Sequence, residues 1–153
     1  MRKLLIFCTV VFSALSACTN KNVYTDFYSL KNAEWDKDSI CRFEFEITDT
    51  LNPLNVFVEI RNNNNYQYSN LWLFIDIKTP SGAIRRDTMN CKLADDMGKW
   101  YGQGISIYEF EAPYEKSVIY TQSGIYTLSI RHGMRNNILE GITEIGFKLQ
   151  KSD

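Results

Sequence analysis

The chain has 153 residues, with 17 basic and 18 acidic side chains and one histidine, for a net charge of −1. That balance leaves no basic patch of the kind nucleic acid selects, and a lone histidine excludes a zinc site built on a histidine pair. The length suits a single domain with a real core, and nine tyrosines, nine phenylalanines and three tryptophans bias it toward strands.

The N-terminus reads in three parts. Arg2 and Lys3 give a short positive start, residues 4–14 an apolar stretch, and Leu15, Ser16, Ala17 and Cys18 close it. The stretch is shorter than the roughly 20 residues needed to cross a bilayer core, so it reads as a secretory leader rather than a span. Its closing tetrapeptide resembles the bacterial lipobox, with a large aliphatic residue three before the cysteine and small residues beside the cut. The resemblance implies cleavage after residue 17 and a diacylglycerol thioether on Cys18. Each buried methylene contributes about 0.8 kcal/mol, so two or three acyl chains anchor almost permanently where one does not. The predicted organisation is a leader over 1–17, a lipidated tether over 18–34, and a β-sandwich domain over 35–153.

Beyond the tether the chain alternates with period two, the signature of half-buried strands. Cys41, Phe43, Phe45 and Ile47 face one way; Arg42, Glu44, Glu46 and Thr48 face the other. Asn52 and Pro53 signal a turn; Val56, Val58 and Ile60 repeat the alternation, and residues 62–65 make a polar connection. Leu71, Leu73, Ile75 and Ile77 line a third strand. Trp72 and Phe74 on its reverse predict a central strand covered on both faces there. A turn at 80–82 leads into a more polar strand over 83–89. Gly98, Gly102 and Gly104 bracket Trp100 and Tyr101 in a turn-rich segment. Residues 105–110 change phase as a β-bulge would. Strands around 118–120, 126–130 and 145–149 complete about eight, and residues 134–141 suggest one helical turn. Strands this long, without intervening helices, predict an all-β fold: a mostly antiparallel sandwich, immunoglobulin- or jelly-roll-like, with a closed barrel as the alternative.

Candidate chemistry is sparse. Cys41 and Cys91 remain in an oxidising compartment. A disulfide between them would close a loop of about 50 residues and stabilise by roughly 4 kcal/mol; two separate buried thiols are the alternative. His132 lacks the G-x-S-x-G elbow of a hydrolase and reads as a strand end. Asp95 and Asp96 are adjacent, so on a strand they would point to opposite faces, and a solvated turn accounts for them better than a calcium site. No catalytic residue, metal or cofactor is implied.

Several segments together resemble the gliding-motility lipoproteins called GldH, of the Bacteroidetes. They are residues 66–74 (YQYSNLWLF), 80–82 (PSG), Asp87 with Thr88, 93–104 (LADDMGKWYGQG), 124–126 (GIY) and 131–135 (RHGMR), with Leu139, Gly141 and Ile142. The resemblance implies a non-enzymatic cell-envelope lipoprotein tied to the gliding machinery, or to its equivalent in bacteria that do not glide. It supplies no catalytic residues and supports Cys18 as the lipid site. Surface-exposed lipoproteins of this phylum resemble one another in acidic residues just after the cysteine. None stands among residues 19–22 here, which implies an outer-membrane anchor facing the periplasm.

Two functions follow from these readings. The first is a scaffold that docks another envelope protein, with Trp100, Tyr101 and Arg135 as candidate anchors. The second is a carbohydrate-binding module, for which an open row of Trp35, Trp72 and Trp100 would be the sign. Three triplets, Asp38-Ser39-Ile40, Asp49-Thr50-Leu51 and Asp87-Thr88-Met89, resemble the O-glycosylation signal of Bacteroidetes envelope proteins. They make Ser39, Thr50 and Thr88 candidate glycan sites, although the same residues also mark turns.

Overall fold

A computed structural model describes residues 21–152; the expected leader and the expected acylation site Cys18 lie outside the described residues. Eleven strands are formed: β1 (Asn22–Ser29), β2 (Glu34–Asp36), β3 (Cys41–Ile47), β4 (Leu54–Asn63), β5 (Asn70–Lys78), β6 (Ile84–Lys92), β7 (Gln103–Gly104), β8 (Ile107–Val118), β9 (Gly124–His132), β10 (Ile138–Glu140) and β11 (Ile142–Lys151). They build a five-stranded sheet in the order β1-β11-β4-β8-β7, a four-stranded sheet in the order β3-β9-β5-β6, and a β2–β10 ribbon. Every pairing is antiparallel.

The period-two residues build the core. Cys41, Phe43, Phe45 and Ile47 of β3 are buried while Arg42, Glu44 and Glu46 are exposed. Val56, Val58 and Ile60 of β4, Leu71, Leu73 and Ile75 of β5, and Ile145, Phe147 and Leu149 of β11 face the same interior. Phe147 touches Phe45 across the two sheets, with ring centroids 5.1 Å apart, and Tyr24 of β1 lies 5.8 Å from both rings. Each such side chain contributes roughly 1.5–3 kcal/mol on burial. The all-β sandwich follows from these alternating faces.

Several expectations change. Within the expected tether, the described residues 21–34 hold β1, which pairs with β11 from Asn22↔Gln150 to Ser29↔Glu144 and sets Tyr24 in an aromatic pocket. No bridge joins Cys41 and Cys91. They stand on β3 and β6, the first and last strands of one sheet. Three strand spacings of about 4.8 Å exceed the ~7 Å reach of a disulfide. Both are buried free thiols, and burial pushes each up to about 12. The strand expected near 118–120 is the end of β8, whose pairing with β4 is bulged around Val56. In place of a helical turn, β10 pairs with β2 and seats Trp35, which is fully buried.

Candidate functional site

Strand polarity sends three segments to one end of the sandwich. β5 starts there at Asn70, β6 ends there at Lys92, and β9 ends there at His132. The alternation that buries Leu71 and Leu73 turns Trp72 and Phe74 outward, and they remain 41% and 42% exposed. Among the described residues no strand or sheet covers their face. The expectation of a strand buried on both sides is therefore corrected: β5 is central within its sheet, but among the described residues only the 133–136 turn borders its reverse face.

After β9 the chain turns beside the start of β5. The Gly133 N–H donates to the Trp72 carbonyl (2.7 Å), and the Trp72 N–H reaches the Met134 thioether (3.4 Å). A Cβ on Gly133 would stand 3.0 Å from the Phe74 ring, so the missing side chain leaves room there. The result is a groove of about 760 Å³ bounded by Tyr68, Trp72, Phe74, Gly133, Met134 and Arg135, with the amides of Asn70 and Asn136. Asn70 is held by its bond to Asn90 Oδ1 (2.9 Å). Farther along the same face, past Phe74, Arg86 and Arg131 share Asp76, at 3.7 and 3.9 Å. Exposed Arg135 makes no ion pair among the described residues. Flat rings beside guanidinium groups suit an apolar anchor followed by a carboxylate.

Buried Tyr66 ties this groove to the 93–101 turn. Its hydroxyl donates to the Asn70 carbonyl (2.8 Å), and its ring contacts Tyr68 at 5.7 Å and Trp100 at 6.3 Å. Trp100 bridges to Ala94, packs against Tyr108 and donates its Nε1–H to Asn64 Oδ1 (3.2 Å). It is a half-buried strut rather than an open ring. Tyr101, half exposed, lies elsewhere, over the outer face of the five-stranded sheet beside Glu59, Glu109 and Lys148. Of the three expected anchors, Arg135 lines the groove, Trp100 supports it through Tyr66, and Tyr101 is separate. Trp72, Phe74, Tyr68 and Gly133 were not singled out as anchors by sequence. The available signal was an apolar reverse face on β5 with no apolar segment left over to cover it.

The other candidates take structural places. Asp95 Oδ1 accepts the N–H groups of Met97 and Lys99, both at 2.9 Å, so this carboxylate closes its own turn. Asp96 pairs with Lys92 (3.3 Å). Among the described residues no cluster of His, Cys, Asp or Glu could hold a metal ion. His132 is buried edge-on against Trp35, with centroids 5.3 Å apart, and burial lowers its pKa. No substrate could reach it. Thr88 is exposed on β6 directly opposite Phe74; Thr50 and Ser39 are half-buried in turns, and the Ser39 carbonyl accepts the Trp35 indole N–H (3.2 Å).

The sequence profile of the GldH lipoprotein family matches residues 22–149. A relative from Christiangramia forsetii, a gliding motility lipoprotein GldH homolog, is 38% identical over 97% of this chain and 93% of its own length. The gliding motility lipoprotein GldH of Flavobacterium johnsoniae is 34% identical over 91% of each.

Proposed function

The chain belongs to the GldH lipoprotein family, and on that premise we propose that it is a non-enzymatic, membrane-anchored envelope lipoprotein that docks another envelope protein through the Trp72–Arg135 groove. It would serve the gliding machinery or its counterpart in bacteria that do not glide. Acylated Cys18 holds it at the outer membrane facing the periplasm. A lipid anchor confines the groove to a plane and raises the local concentration of a partner there. The observation that carries the reading is convergence: three of the segments that carry the family likeness, residues 66–74, 94–100 and 131–135, meet at one end around exposed aromatic rings. The partner this groove fits presents an apolar side chain next to an acidic one.

Photo-crosslinking in intact cells tests it. A photoreactive residue in place of Trp72 should capture a distinct envelope protein, and one in place of exposed Glu44, on the same sheet but at its far edge, should not. Cys18→Ala should leave the domain folded and abolish the adduct. Identical products from positions 72 and 44 would remove the groove from the account. Ready loss of the domain on shaving intact cells with protease would move it to the outer surface.

A sugar-binding reading is narrower than the sequence suggested, because Trp35 is buried and Trp100 is half-buried. It rests on Trp72 and Phe74 beside the Asn70 and Asn136 amides; binding on a glycan array that is lost in Trp72→Ala would favour it. Ser39, Thr50 and Thr88 stand as proposed glycan sites, with accessibility greatest at Thr88. An intact mass equal to the bare acylated chain rules them out.

A further inference from the structure

The lipid anchor and the sandwich are nearly contiguous, and this fixes which end of the molecule meets the membrane. The Lys21 carbonyl already accepts the Lys151 N–H (2.9 Å), so the first sheet bond forms three residues after Cys18. Three extended residues reach at most about 11 Å. The end of the sandwich that holds Lys21 therefore stays within that distance of an acylated cysteine.

That end has a defined surface. Ser152 donates to the Pro53 carbonyl (3.0 Å), which places the 48–53 loop one ladder step from Lys21. At this loop's tip Leu51 is 83% exposed, an unusual exposure for a leucine with no covering partner. Asp49 fixes the loop by accepting N–H groups from Leu51 and Asn52, at 3.0 and 3.1 Å. Next to it, Ser117 bonds Asn55 and Ser152, and brings in Ile119, which is 50% exposed. Exposed Lys116 and Lys151 stand on the same end. Leucine and isoleucine tips flanked by two lysines, with Asp49 beside Lys151, have the chemistry of a bilayer interface: apolar side chains enter the acyl boundary while ammonium groups meet phosphates.

We infer that the 48–53 loop and Ile119 rest on the bilayer surface, so that the Trp72–Arg135 groove points away from it. The groove lies at the opposite end of β5 and β11; the ten residues Ile142–Lys151 span about 30 Å. With the molecule standing on this end, exposed Met97 and Ile105 at the far end are held about 30 Å from the membrane. This orientation rests on the lipid-anchor reading.

The test uses acylated full-length protein in vesicles of mostly phosphatidylethanolamine with some phosphatidylglycerol. Cysteine is introduced singly at Leu51, Ile119 or Met97 and labelled with an environment-sensitive fluorophore; Cys41 and Cys91 are buried and escape labelling. Quenching by doxyl-labelled phospholipid should be several-fold stronger at positions 51 and 119 than at 97. Equal quenching at all three, or stronger quenching at 97, overturns the orientation and leaves the anchor standing. Protein that fails to float with the vesicles overturns the anchor, and the orientation with it.

Discussion

Gly133 and His132 are adjacent yet do opposite work. Gly133 opens the groove by having no side chain, with the Phe74 ring 3.0 Å from where a Cβ would sit. Gly133→Val should push that ring toward solvent, where it is already 42% exposed. The cost in stability should stay within the roughly 1–3 kcal/mol typical of overpacking, while the crosslink at position 72 disappears. Denaturation melts and adduct yield measured on the same variant check both halves; a normal yield would show that the groove does not need its open floor. His132 instead closes the interior against Trp35, its buried ring nitrogens facing the backbone of Trp35 and Asn137. Burial holds its pKa below the usual 6.5, against weaker opposing effects from backbone groups and Asp36 and with Lys37 reinforcing it. The unfolded chain thus binds the proton more readily than the folded one. Stability is complete above pH 6.5 and is lost as the pH falls toward the lower folded value. Urea midpoints should drop between pH 7.5 and 5.5, and His132→Leu should flatten that drop. An unchanged slope in the variant would assign the acid sensitivity to another group.

At the scale of elements, the outer face of the five-stranded sheet is held by charge rather than by a second layer. Lys148 of β11 contacts Glu59 of β4 (2.8 Å) and Glu111 of β8, and its ammonium lies 5.1 Å from the Phe57 ring centroid. Beside this ladder, Arg61 stacks on Phe27 at 4.1 Å and pairs with Glu144 and Glu109, while the Phe27 ring occupies the space above Gly146. Burial raises Glu59, and Lys148 opposes that rise. Lys148→Met would leave two carboxylates facing each other. It should destabilise by about 2–3 kcal/mol at neutral pH, below the ~3–5 for a fully buried pair because Glu111 is partly solvated. Glu59 would then rise further, so the variant should regain stability as the pH falls and this carboxylate takes up its proton. A constant stability difference across pH would mean that Glu59 is not the group left unpaired. The inward faces of these strands were legible in the sequence because period two is a local property; β3, β4 and β11 carry it plainly. Pairing order was not, since it depends on contacts more than 80 residues apart such as Arg61 with Glu144. The same limit hid the pairing of β1, whose partner β11 lies at the other end of the chain.

For the whole molecule, with the lipid on Cys18 as proposed, the decisive lengths are a tether of a few residues and a sandwich about 30 Å tall. The lipobox is an expectation carried by four consecutive residues, so it needs no fold to be stated. The groove was not legible in that way, because whether Trp72 is covered depends on which other segments exist to cover it. Only the fold shows that none does among the described residues, and that Arg135 belongs beside it whereas Tyr101 does not. A short tether also means that the height of the groove above the bilayer is set by the body of the domain. Inserting about 12 Gly/Ser residues between Asn20 and Lys21 adds roughly 20 Å of root-mean-square reach without touching any strand. The melting temperature should not move, because the insertion precedes the first sheet bond at Lys21. Lipid quenching at position 51 should weaken as the loop leaves the interface, and the partner adduct at position 72 should fall because the groove no longer stands at one height or faces one way. If the lengthened protein crosslinks as well as the original, the partner tolerates any height and orientation. The tether would then serve only to retain the protein in the envelope.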